Sequence, residues 1–268
     1  MPFAELETGI RMHYRDVGSG SPIVFVPGFA ATLETWSYAV LDLAGRHRCV
    51  TLDLRGHGQS DKPLSAYSYE EMCGDLGALL ARLDLRDVTL AGWSMGAAIG
   101  LKYVTDHDAE GRIARLAMIG AAAPRFVRTD AEPFGIGADD AAATLEGLRR
   151  SYPEAMAGFA DANFHRTDLE TTKAWLLSQW LDLPPYAAVP YYRTLTGSDL
   201  REHVERVAIP VVLFHGRHDT ICDAGWIRYM ATRIAGARVV WFDDSAHALM
   251  FEEPDRFSAE LAAFAGAA

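Results

Sequence analysis

A strand-like run, a serine set between two glycines and a helix-like run follow one another directly in Val88-Thr89-Leu90-Ala91-Gly92-Trp93-Ser94-Met95-Gly96-Ala97-Ala98. This feature constrains the fold more than any other. A chain that passes from strand to helix in so few residues must make a sharp, strained turn. Neighbours lacking a Cβ are needed there to avoid clashes. Such a turn lifts the Ser94 hydroxyl above the carboxyl edge of a sheet and leaves the Met95 N–H at the positive end of the following helix. A pattern of three fixed positions in five residues also arises by chance. The strand in front and the small, apolar helix behind are the context that makes Ser94 a candidate nucleophile and the Met95 N–H a candidate oxyanion donor.

The rest of the chain repeats the same alternation. Residues 23–26, 49–52, 88–91, 116–119, 211–214 and 239–242 are short runs, apolar but for Thr51 and Thr89, as expected of strands covered on both faces. Residues 10–15 alternate polar and apolar, as a half-exposed edge strand does. Helical stripes fall at 69–83, with Met72, Leu76, Leu79, Leu80 and Leu83, and at 254–264, with Phe257, Leu261 and Phe264 behind Pro254. Residues 95–103 read as a buried helix. The expectation is an α/β architecture: a mostly parallel, doubly wound sheet with helices on both faces. Residues 124–204 interrupt the rhythm with helical patches, Pro184-Pro185 and many aromatics. They read as a helical cap inserted into a core made of 1–123 and 205–268.

Half of the 268 residues are hydrophobic, enough to bury a large core. The net charge of −11 disfavours nucleic acid and anionic lipid as partners. No apolar run is long enough to cross a bilayer, and no basic-then-apolar leader is visible. The three cysteines, Cys49, Cys73 and Cys222, form no disulfide framework and suit a cytoplasmic setting.

A serine hydroxyl needs a base. His247, in Asp244-Ser245-Ala246-His247-Ala248, follows the last strand. In a doubly wound sheet its loop lies at the same edge as the Ser94 turn. His57 is the next candidate. His215 and His218 hint at a metal site, but no carboxylate or cysteine set completes a shell, so no metal is expected. The base needs a carboxylate to fix its tautomer. Asp219, directly after the 211–214 run, is the first choice and Asp223 the alternative.

These segments together resemble the α/β-hydrolase superfamily, in particular its smaller esterase, lactonase and cofactor-free haloperoxidase-like members. The resemblance spans almost the whole chain apart from 124–204. Besides the serine turn it rests on Val26-Pro27-Gly28-Phe29, on Asp53-Leu54-Arg55-Gly56-His57-Gly58-Gln59-Ser60, on His215-Gly216-Arg217-His218-Asp219 and on Ser245-Ala246-His247. It implies an α/β-hydrolase fold with a helical cap and the chain order Ser94, Asp219, His247. It also implies a second oxyanion donor at the Phe29 N–H and a structural role for the turn that holds His57. Some members carry the acid after the strand preceding the insertion. Here Met118-Ile119-Gly120-Ala121-Ala122-Ala123 offers none, which favours Asp219. Pro27 stands where the family usually has a histidine that braces the oxyanion loop; proline can stiffen the loop by fixing φ. Ser94 sets the chain apart from dehalogenases and epoxide hydrolases of this fold, which use aspartate there.

The resemblance thus implies a carboxylic-ester or lactone hydrolase working through an acyl-enzyme on a small molecule, with no cofactor, and the aromatic insertion without an obvious cationic cluster points to a largely apolar substrate. Trp93 and Gly28 are expected to line the pocket. Carbon–carbon hydrolysis or perhydrolysis with the same residues, and a non-enzymatic ligand receptor, are the other readings. A homo-oligomer is left open.

Overall fold

Eight strands hydrogen-bond into a single sheet in the order β1-β2-β4-β3-β5-β6-β7-β8. They are β1 Phe3–Glu5, β2 Arg11–Val17, β3 Ser21–Val26, β4 His47–Leu52, β5 Val88–Trp93, β6 Ile113–Ile119, β7 Val211–Gly216 and β8 Arg238–Phe242. The structure is a computed structural model and describes residues 2–266. The pairs β1·β2 and β2·β4 are antiparallel and the remaining pairs parallel. The six apolar runs all lie in β3 to β8. Strands β5 and β7 are buried along their whole length, because helices cover both faces of a parallel sheet. The alternating segment is β2, on the antiparallel side.

Helices α1 Ser37–Leu43, α2 Tyr69–Arg82, α3 Met95–Lys102, α9 Ala224–Arg233, α10 Leu249–Glu252 and α11 Pro254–Ala265 flank the sheet. Between β6 and β7 the chain forms α4 Ala138–Arg150, α5 Tyr152–Ala162, α6 Glu170–Trp180, α7 Pro185–Gly197 and α8 Arg201–Val204. No helix among the described residues is long and apolar enough to cross a membrane.

Register sets the position of the site. Trp93 pairs with Ile119, Ile119 with Phe214, and Gly216 with Phe242. The carboxyl ends of β5 to β8 are therefore level, and the turns after them share one edge. The loop after β4 is pinned beneath that edge. Arg55 makes a buried bidentate pair with Asp75 of α2, with Nε to Oδ2 at 2.7 Å and an Nη2 bond to Oδ1 at 2.8 Å. Asp53 accepts the Leu33 and Gln59 N–H groups at 2.8 and 3.0 Å and pairs with His13 at 2.7 Å. Charged groups this deeply buried are tolerated because each is multiply bonded.

Candidate active site

Ser94 has φ 55° and ψ −118°, a left-handed conformation that is uncommon for a residue with a side chain. Its surroundings enforce it. The Ser94 N–H donates to Ile119 C=O at 2.8 Å, and its C=O accepts the Ala97 and Ala122 N–H groups at 3.0 and 3.1 Å. Both flanking glycines are required by close approach. A Cβ on Gly92 would lie 2.3 Å from Gly96 O, and one on Gly96 would lie 2.3 Å from Val26 O. Met95 opens α3, where first-turn N–H groups have no partner within the helix.

The loop after β8 brings His247 to the loop after β7. His247 Nδ1 lies 2.8 Å from Asp219 Oδ2, and both side chains are fully buried. Asp219 Oδ1 accepts the Ile221 and Cys222 N–H groups at 2.8 and 2.9 Å. Burial alone would raise the Asp219 pKa. The attraction of His247, their hydrogen bond and the backbone donor of Cys222 outweigh it and hold the carboxyl below its ordinary value. An acceptor on Oδ2 assigns the proton to Nδ1 and leaves an open lone pair on Nε2. That Nε2 is buried and has no hydrogen-bond partner among the described residues. Burial pushes the Cys222 thiol pKa well up, and the neighbouring Ser94 side chain partly offsets this. Ligand atoms of Asp219, Cys222 and His247 lie within 4.8 Å of one another. Cys222 is a neighbour that only its position three residues after Asp219 could have signalled.

The alternatives are engaged elsewhere. Asp223 caps α9 through the Gly225 N–H at 2.7 Å and accepts the Gly135 N–H at 3.0 Å. His215 is buried 3.8 Å behind Asp219. His218 stacks on His165 with ring centroids 3.6 Å apart.

His57 is held in a structural role, as the resemblance implied for its turn, through partners that the sequence did not show. Its Nδ1 lies 3.0 Å from the Arg55 C=O, which only accepts, so Nδ1 carries the proton. Its Nε2 accepts the Ala30 N–H at 3.0 Å. Ala30 has φ 61° and directly follows Phe29, so the imidazole braces the loop that carries the expected second oxyanion donor. Tyr191 of α7 closes over it, donating its OH to Arg55 C=O at 2.7 Å. Burial pulls the His57 pKa from 6.5 down to about 4. A depressed histidine contributes stability that is complete above pH 6.5 and is lost as pH falls toward 4. The shift corresponds to roughly 3 kcal/mol. Urea unfolding at pH 7 and pH 4 should therefore show wild type losing about that much more stability than His57→Gln. Equal losses in the two proteins would refute this.

A cavity of about 170 Å³ opens onto Ser94 and Phe29. Its walls include Phe126, Met156, Phe159 and Tyr192 from the segment between β6 and β7, and no charged side chain lines it. Phe29 meets Phe159 and Tyr192 edge-on at 6.0 and 6.1 Å. Neither Trp93 nor Gly28 belongs to this lining, which corrects the sequence expectation. Successive strand residues point to opposite sides, and Trp93 is 1% exposed. Its Nε1–H donates to His247 C=O at 3.0 Å and its ring lies 5.3 Å from the imidazole, so it supports the histidine loop. Gly28 lies directly against the serine, where a Cβ would sit 3.0 Å from Ser94 Cβ. A wider groove of about 540 Å³ beside Ser68, Lys102 and Arg193 contains none of these residues.

Glu252 links two loops at the rim. Its Oε1 accepts the His165 and Arg166 N–H groups at 2.7 and 2.8 Å, and its Oε2 accepts the Ala246 N–H at 2.6 Å. The Ala248 N–H donates to Asn163 C=O at 2.9 Å.

A family model described as alpha/beta hydrolase fold matches residues 21–254. The chain is 30% identical over 285 residues to a non-heme chloroperoxidase of Kitasatospora aureofaciens, covering 98% of this chain and 99% of that one. An esterase from Exiguobacterium antarcticum superposes with a TM-score of 0.95 at 29% identity, over 99% of both chains. The enol-lactonase from Burkholderia xenovorans superposes with a TM-score of 0.87 at 25% identity, over 98% of this chain and 99% of that one.

Proposed function

The chain belongs to the α/β hydrolase fold family, and on that premise we propose that it hydrolyses carboxylic esters or lactones with Ser94 as nucleophile, His247 as base and Asp219 as the acid that orients the base. The observation that carries this reading is the buried His247–Asp219 pair. It holds the imidazole in the tautomer whose free Nε2 can accept a proton.

In this mechanism Nε2 takes the Ser94 proton as Oγ attacks the substrate carbonyl. Negative charge develops on the carbonyl oxygen, and the Met95 and Phe29 N–H groups receive it. The imidazolium formed is stabilised by Asp219 and returns its proton to the leaving alcohol. Water, activated by the same histidine, then releases the acyl group from Ser94. The contact between the hydroxyl and Nε2 forms or tightens as substrate binds, as is common at such sites. Residues 124–204 act as the cap that covers this chemistry and excludes water.

The uncharged cavity supports an apolar acyl or alcohol part, and its modest volume supports a short one. Esterase and enol-lactonase are the names of structural neighbours and accord with this bond type. The test is a series of p-nitrophenyl esters. Butyrate is expected to exceed palmitate in kcat/KM by at least about 10-fold, and a fluorophosphonate probe is expected to label Ser94. No turnover of any ester together with no label would overturn the proposal. A chloroperoxidase-named relative favours one second reading: transfer of the acyl group to peroxide. Peracid formation from acetate and hydrogen peroxide, with release of water, by wild type but not by Ser94→Ala tests it.

A further inference from the structure

The groups just assigned leave one neighbour unused. Cys222 is a free thiol, 3% exposed, and its Sγ lies within 4.8 Å of ligand atoms of both His247 and Asp219. The second observation is independent of the cysteine: the fully buried His247 side chain keeps its Nε2 without a hydrogen-bond partner among the described residues.

We propose that Cys222 and His247 form an inhibitory binding site for a thiophilic divalent cation such as Zn²⁺, with Asp219 as its supporting carboxylate. The inference rests on the hydrolase reading for its consequence, but not for its chemistry. Thiolate and imidazole together are a borderline-soft donor pair of the kind that selects Zn²⁺ over Mg²⁺ or Ca²⁺. The His247 Nδ1–H to Asp219 bond is the outer support that a zinc-binding imidazole ordinarily has, fixing the tautomer that presents Nε2. Binding replaces the S–H bond of Cys222 with a metal–sulfur bond and releases that proton to solvent. One dication, one thiolate and the adjacent carboxylate then sum to zero, the balance a buried site requires. The Ser94 hydroxyl and a water would complete four positions.

Bonds of about 2.3 Å to sulfur and 2.0 Å to nitrogen require Cys222 Sγ and His247 Nε2 to come within about 4 Å of each other. A rotation about χ1 of Cys222 supplies movement on that scale. The ion would occupy the lone pair that the base uses, so hydrolysis stops while it is bound and resumes when it is removed.

The experiment titrates the metal-free full chain with CoCl₂ and reads the absorption spectrum. A thiolate-to-cobalt charge-transfer band is expected in wild type and in Ser94→Ala, and is expected to vanish in Cys222→Ala. Cys222→Ser, which preserves volume, takes its place if alanine disturbs folding. In parallel, ZnCl₂ should inhibit p-nitrophenyl butyrate hydrolysis reversibly with EDTA, and the concentration for half inhibition should rise at least tenfold in the cysteine variant. Absence of the band in wild type, or a band and an inhibition that survive removal of Cys222, would overturn the proposal. The cobalt spectrum needs no turnover, so failure of the metal site is distinguishable from failure of the hydrolase reading.

Discussion

Ser94→Ala is expected to lower kcat on p-nitrophenyl butyrate by at least about 10⁴-fold, because loss of a nucleophile removes the acyl-enzyme route entirely. Whatever rate remains would come from the oxyanion donors and substrate binding alone. The fold should survive. Alanine tolerates the turn at φ 55° no worse than serine does, and the bonds to Ile119, Ala97 and Ala122 are made by backbone. Thermal unfolding by circular dichroism provides the control, and the variant should melt within a few degrees of wild type. Turnover within tenfold of wild type by a folded variant would eliminate Ser94 as the nucleophile.

The second large effect concerns the acid. Asp219→Asn should reduce kcat by roughly 10³- to 10⁴-fold. An amide nitrogen at Oδ2 would donate to Nδ1, so the imidazole proton would move to Nε2, where it faces the serine. The negative charge that stabilises the imidazolium would also be gone. The bonds from Ile221 and Cys222 to Oδ1 remain available to the asparagine carbonyl, so the loss should appear in kcat more than in stability. Asp223→Asn is the matched comparison. Its carboxylate is committed to Gly225 and Gly135, so its rate should stay within a few-fold of wild type, with a stability change of about 1 kcal/mol or less. Equal losses in the two variants would dismiss Asp219 from the assigned role.

The sheet was legible because a strand buried on both faces is apolar at nearly every position. Runs such as 88–91 and 211–214 could therefore be read without ambiguity, and they lie in β5 and β7. Strand β1 escaped because Phe3-Ala4-Glu5 is too short to display a period. The helices between β6 and β7 were hard to delimit for two reasons. Helix α6 buries only Leu176 and Trp180, and α7 continues through Pro190, a residue that ordinarily ends a helix.

Chemistry at the site divided along the same lines. Ser94 and His247 stand out because each follows an apolar run at a recognisable turn, β5 being buried throughout and β8 in part. The partner of His57 is a backbone N–H 27 residues away, and backbone groups leave no trace in residue identity. Trp93 was misassigned because an aromatic beside a nucleophile suits a pocket wall and a buried support equally well. Only the direction of its indole N–H distinguishes them. The cavity wall was unreadable in detail because Phe126, Phe159 and Tyr192 come from three separated stretches, each also rich in aromatics that pack elsewhere.

The Glu252 carboxylate holds Ala246 with one oxygen and His165 and Arg166 with the other. If 124–204 acts as the proposed cap, displacing residues 165 and 166 would be transmitted through this one carboxylate to Ala246, the neighbour of the proposed base, so admission of substrate from that side and readiness for chemistry would be coupled.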